Sequence, residues 1–148
     1  MRGPVRALPP LGIEGRVSCV RIASLVSKCL VDGDFSNYFS TIPSALDCPE
    51  PIVLREGGFV RESRIEGEER GTVPVDVLVV REVAADAEAV AIACEQWVRS
   101  YGWERHSECW PWRVVGVDTS APLFDVRDSS GRYVWKFTAT VTVVRAVG

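Results

Sequence analysis

Near the C-terminus, Tyr133, Trp135, Phe137, Ala139, Val141 and Val143 alternate with Val134, Lys136, Thr138, Thr140, Thr142 and Val144. A period of two kept up over that length predicts a long strand with one clearly buried face. Thr72-Val73-Pro74-Val75-Asp76-Val77-Leu78-Val79-Val80-Arg81 is rich in β-branched residues, and its second half is apolar on both faces. It predicts a central strand, covered by helix on one side. Ile52-Val53-Leu54-Arg55, Arg113-Val114-Val115-Gly116-Val117-Asp118 and Leu123-Phe124-Asp125-Val126 predict shorter strands. Pro51 suits the first position of a strand or an edge.

Two stretches follow a helical period. Over residues 16–31, Ile22, Val26, Cys29 and Leu30 share a face with Cys19, and Arg21, Ser24 and Lys28 lie mostly opposite. Gly33 can end this helix. Residues 87–100 are rich in good helix formers. Val90, Ala93, Cys94, Trp97 and Val98 form the expected core stripe, and Glu88, Glu95 and Arg99 the expected outer side. Asp86 is the expected cap, Glu95 and Arg99 a favourable i,i+4 pair, and Gly102 the glycine just past the end.

The punctuation lies between these runs. Residues 1–15, rich in Pro and Gly and without period, are expected to be a flexible N-terminal arm. It reads either as a disordered tail or as a segment that orders on a neighbouring subunit. Phe35, Tyr38 and Phe39 are expected to pin the connection over 32–50, which Pro43, Pro49 and Pro51 keep extended. Glu56-Gly57-Gly58, Thr119-Ser120 and Asp128-Ser129-Ser130-Gly131 are turn signals. Between Arg61 and Arg70 stand seven charges of both signs: Arg61, Glu62, Arg64, Glu66, Glu68, Glu69 and Arg70. The first part of this run can be a strand and the second a solvated loop. Such a run is either a hairpin tip or a contact surface for a partner of complementary charge.

The order of elements predicts an α+β fold, an antiparallel-rich mixed sheet with two helices packed on one face, in a single domain over 16–148. The second helix, bracketed by strands, allows a β-α-β crossover. The length of 148 residues, 47% apolar and 25% charged, suits one ordinary globular domain and excludes a disordered chain. The net charge of −3 argues against general nucleic-acid binding, which needs a basic footprint. No apolar run is long enough to span a bilayer, and the proline-broken N-terminus does not read as a secretory signal. The chain is therefore expected in the cytoplasm of the cell that makes it.

Chemistry is sparse. The chain has no phosphate-loop, dinucleotide or nucleophile-elbow motif. Five dispersed cysteines, Cys19, Cys29, Cys48, Cys94 and Cys109, read mostly as free buried thiols. His106-x-x-Cys109, with Cys94 as a third candidate, is a weak metal pair, and a packed Cys beside a half-exposed His accounts for it. Asp125 and Asp128 lie at a strand end, where turn chemistry explains them. The expectation is a protein that is not an enzyme and takes no cofactor or metal. Trp103, Trp110 and Trp112 crowd one short stretch. Among acidic neighbours they have no electrostatic funnel for phosphate, so packing against the sheet end or a subunit interface is expected. A small adaptor module binding a protein partner through residues 103–112 is the alternative function.

As an order of elements over residues 16–146, the chain resembles the tail terminator and minor capsid (neck or tail-completion) proteins of long-tailed bacteriophages. The matching features are the amphipathic N-terminal helix, the start Asp47-Cys48-Pro49-Glu50-Pro51-Ile52-Val53-Leu54-Arg55, the charged hairpin, the apolar strand 75–81 and the Ala/Glu-rich helix 87–100. The closing Gly131-Arg132-Tyr133-Val134-Trp135-Lys136-Phe137 before a Thr/Val-rich strand matches best. The tryptophan-rich stretch has no place in that pattern. The resemblance implies a structural ring subunit, often hexameric, that caps the tail tube and joins it to the head. Its partners would be copies of itself, the tail tube and head-completion proteins, with no nucleic-acid specificity and no membrane. It would reside in the virion, and in the host bacterial cytoplasm during assembly. Arg61, Glu62, Arg64, Glu66, Glu68, Glu69 and Arg70, with Trp103, Trp110 and Trp112, are the candidate interface residues.

Overall fold

The computed structural model describes residues 22–65, 67–103, 108–109 and 112–146. The expected arm, the part of the first helix before Ile22, Glu66, His106 and Trp110 lie outside the described residues. The elements are α1 (Ala23–Asp32), β1 (Tyr38–Phe39), β2 (Ile52–Glu56), β3 (Val60–Ile65), β4 (Glu68–Arg81), α2 (Ala84–Arg99), β5 (Glu108–Cys109), β6 (Trp112–Thr119), β7 (Leu123–Arg127) and β8 (Tyr133–Ala146). They build an α+β fold on a mixed, mainly antiparallel sheet in the order β1-β2-β4-β8-β6-β5, with β3 also on β4 and β7 also on β8.

The spine of the sheet is the pair β4–β8, antiparallel and in register from Glu68↔Ala146 to Arg81↔Tyr133. Two-residue periodicity makes both strands. Val73, Val75, Val77 and Val79 of β4 and Phe137, Ala139, Val141 and Val143 of β8 face the helices and fill the main core with Ile52, Leu54 and Val114. The helix side receives Val26, Cys29 and Leu30 from α1 and Ala91, Cys94 and Val98 from α2. Leu78, Val80, Val53 and Val134 point to the other face and are covered at one end by Ile42. Farther along, that face carries the opposed pairs Thr72↔Thr142, Pro74↔Thr140 and Asp76↔Thr138. The Thr138 hydroxyl donates to Asp76 Oδ1 at 2.7 Å.

Each partner of the spine is interrupted. β2 and β3 both pair with β4, running in the same direction. The Gly57-Gly58 signal therefore marks a break in one line of chain and not the expected reversal. The break lies opposite Pro74, which has no N–H to offer a ladder. Gly57 N–H donates to the Pro74 carbonyl at 2.7 Å, and a Cβ on Gly57 would stand 2.8 Å from Pro74 Cγ. β6 and β7 behave alike along β8. At Thr119-Ser120 the chain again continues, held by Ser120 N–H to the Thr138 carbonyl at 3.0 Å and Thr138 N–H to Ser120 Oγ at 2.9 Å. The reversals next to the spine are the tight one between β3 and β4, where Gly67 has φ +77°, and the one between β7 and β8. In the latter Asp128 Oδ1 accepts from the amides of Ser130 and Arg132, and Gly131 takes φ +85°.

β4 and β6 both run antiparallel to β8, so they are parallel to each other with β8 between them. α2 makes the β-α-β crossover that joins them. It starts at Ala84, earlier than expected, with Val83 as an extended N-cap and Asp86 inside the first turn, where the helix dipole favours an acid. Its buried stripe is Ala87, Ala91, Cys94 and Val98, with Val90 and Trp97 at the margin and Ala93 exposed. The buried stripe is rotated from the expected one and places the small Ala87 and Ala91 against the core. Glu95, expected outside, is buried. It accepts from Arg99 Nε at 2.7 Å and from the Thr119 hydroxyl.

Candidate subunit interface

The seven-charge run divides between two strands. The expected solvated loop at Glu68-Glu69-Arg70 is instead the start of β4, paired with β3 on one side and β8 on the other. Alternation then sends Glu69 to the helix side of the sheet, where it is only 6% exposed. It accepts from Arg145 Nε at 3.0 Å and from Arg61 Nη1 at 3.4 Å. The Arg145 bond, against the opposing pull of burial, holds the Glu69 carboxyl below its ordinary range. The Arg145 guanidinium lies 4.6 Å over the Trp112 ring, which packs 5.0 Å from the Phe59 ring. This cluster closes the end of the core beyond the helices.

The remaining charges stay outside. Arg70 stands 3.6 Å from Glu62 and Arg113 3.8 Å from Glu68. Both are exposed pairs of the kind worth little in stability. Arg64, also exposed, has no ion-pair partner among the described residues. Of the tryptophans, Trp103 is a core residue at 7% exposure, with its Nε1 donating to the Val98 carbonyl at 2.8 Å and its ring edge-on to Tyr101. Burial of Trp103 and Glu69 removes both from the expected contact surface of this chain. Trp112 is half-buried under Arg145.

Sequence reasoning passed over β7 as a surface. All five of its residues are exposed, including Leu123, Phe124 and Val126. The signal was present: Leu-Phe-Asp-Val is apolar on both faces yet lies between two loop segments. Among the described residues β7 bonds only to β8, and β3 only to β4, so within that set each leaves a row of backbone groups unpaired along one edge. β1 covers β2, and β5 covers the start of β6. Around the β7–β8 reversal, Arg132, 4% exposed, donates to Asp128 Oδ2 at 2.8 Å and to the carbonyls of Pro43, Cys48 and Pro49 at 3.0, 2.9 and 3.3 Å. It fastens the 41–50 loop beside that corner of the sheet. Leu46, on this loop, is fully in solvent.

No group of three His, Cys, Asp or Glu residues among those described is placed to hold a metal. Cys94 is buried, its thiol pushed up to about 12 by burial, and His106 is outside the described residues. No helix among the described residues is long and apolar enough to cross a membrane. Every buried side-chain nitrogen or oxygen among them has a hydrogen-bond partner. Compared with known proteins, the chain matches no family model and no curated protein sequence.

Proposed function

We propose that the chain is a structural subunit of a closed homo-oligomeric ring, of the tail-terminator kind, and performs no enzymatic step. One observation carries the ring reading. Among the described residues a single sheet has two strands with an open edge, β3 and β7, on its opposite sides, and β7 presents three apolar side chains to solvent. Two different edges on opposite sides suit a head-to-tail contact, which gives a ring where the rotation between copies closes and an open filament where it does not. The role at a phage tail end rests on the order of elements: an N-terminal helix, a charged hairpin, a crossover helix and a closing hairpin. The alternative adaptor reading through residues 103–112 has less support, since Trp103 is spent in the core and Trp112 under Arg145.

Light scattering over a concentration and salt series, with negative-stain images, tests the ring. A six-membered ring of 16.3 kDa subunits weighs about 98 kDa. A ring of this kind that also binds purified tail tubes supports the whole proposal. A protein that stays monomeric up to millimolar concentration, and on tubes, overturns it.

A further inference from the structure

We infer that β7 of one copy pairs antiparallel with β3 of the next, in the register that sets Asp125 against Arg64. This names the contact within the ring proposed above and rests on that reading. β3, β4, β8 and β7 alternate in direction across the sheet. A neighbour's β3 laid against β7 therefore continues the antiparallel order without a change of hand.

Charge selects the register. β7 carries Asp125 and Arg127, and β3 carries Arg61, Glu62 and Arg64. In an antiparallel pairing the sum of opposed residue numbers is constant, so each choice for Asp125 fixes the rest. With Asp125 against Arg61, Arg127 meets Phe59. With Asp125 against Arg64, Arg127 meets Glu62, Val126 meets Ser63, and Phe124 meets Ile65. No other register places both charges of β7 opposite a charge of the other sign. Directly opposed opposite charges favour strand pairing and like charges oppose it.

Of the four charges, Glu62 already stands 3.6 Å from Arg70, and Arg127 donates to the Gly131 carbonyl and lies over the Tyr133 ring, so in the pairing these two share or exchange partners. Among the described residues Asp125 and Arg64 have no ion-pair partner. Phe124 and Ile65 are exposed large apolar side chains, which this pairing covers. Both strands carry a ladder irregularity, between Phe124 and Val126 and between Arg61 and Ser63. Bulges and charges on an edge discourage indiscriminate pairing. Here the skipped residues are Asp125 and Glu62, so each irregularity places a charge at the edge.

The test uses the full chain with Cys19, Cys48 and Cys109 changed to Ser. Asp125→Cys and Arg64→Cys are combined and exposed to oxidised glutathione. Opposed strand residues lie within disulfide reach. The expected result is a ladder on non-reducing gels that ends at one closed mass and collapses on reduction, with neither single variant giving it. In parallel, Asp125→Arg or Arg64→Asp alone raises the concentration for half-assembly about fivefold, and the two together restore it. A ring seen by light scattering without ladder or rescue overturns this contact and leaves the ring standing. Absence of ring and ladder together overturns both. Efficient dimerisation of Val126→Cys alone overturns it in favour of two-fold pairing of β7 with itself.

Discussion

Trp97 closes over Gly33. Its indole nitrogen donates to the Cys29 carbonyl at 2.7 Å, at the end of α1, and a Cβ on Gly33 would lie 2.7 Å from the indole ring. Gly33 has an ordinary negative φ, so the glycine is needed for space and not for backbone conformation. The contact locks α1 to α2 and sets how both lie on the sheet. Gly33→Ala is expected to lower stability by about 1–3 kcal/mol through overpacking, measured by urea unfolding. Gly58→Ala, where nothing lies within 4 Å, is expected to be neutral or slightly stabilising.

Arg132 is the buried fastener of the 41–50 loop. Arg132→Ala leaves Asp128 Oδ2 and three carbonyls without the guanidinium and is expected to cost about 3 kcal/mol. Arg132→Lys should recover little, since an ammonium cannot reach the same fork of acceptors. Urea midpoints give the cost. Faster alkylation of Cys48 and cleavage within the loop report its release.

Acid should loosen the protein at identified points. Arg145 bonds to Glu69, and Arg99 bonds to Glu95, each holding a carboxyl below the ordinary 4.5. Burial pushes Asp128 up from 3.8, but bonds from the Arg132 and Ser130 amides and the Arg132 guanidinium outweigh it and leave it depressed. A carboxyl depressed in the folded state contributes stability that is complete above its unfolded value and is lost as pH falls through the folded one. The urea midpoint is therefore expected to hold above about pH 4.5 and to decline below it. Glu69→Gln should flatten that decline.

The two core thiols shift alike, in the direction opposite to these carboxyls. Burial, with Asp32 and Cys94 nearby, raises Cys29 to about 12, and burial raises Cys94 to about 12. The thiolate is the reactive form, so iodoacetamide at pH 8 should label Cys48 in the native protein and spare Cys29 and Cys94 until urea is added, as read by peptide mapping. Above the ordinary value of 9.0, unfolded thiols lose protons that folded ones keep. Stability is then expected to fall progressively from about pH 9 toward 12.

What was legible in the chain was periodicity. The alternation from Tyr133 onward produced β8 and its buried face as expected, and the apolar run at Val77 to Val80 produced a central strand. Misread were the interruptions. Gly57-Gly58 and Thr119-Ser120 carry turn residues, yet the chain runs on at both, because the partner strand continues past Pro74 and Thr138. The same error hid the site. A charged stretch reads as solvated loop until the extra length of β4 is known, and then alternation buries Glu69. β7 read simply as another short strand, since no local pattern says which side of a sheet lacks a neighbour.

The spine has a consequence for how the molecule comes into being. β4 finds its full-length partner roughly fifty residues later, across α2 and the β6–β7 line. A chain growing from the ribosome holds the both-sided apolar stretch at Val77 to Val80 with one flank open until its partners Val134 to Phe137 have been made. Closure is late and cooperative, and nascent chains halted before Tyr133 should be digested by protease where the finished protein survives.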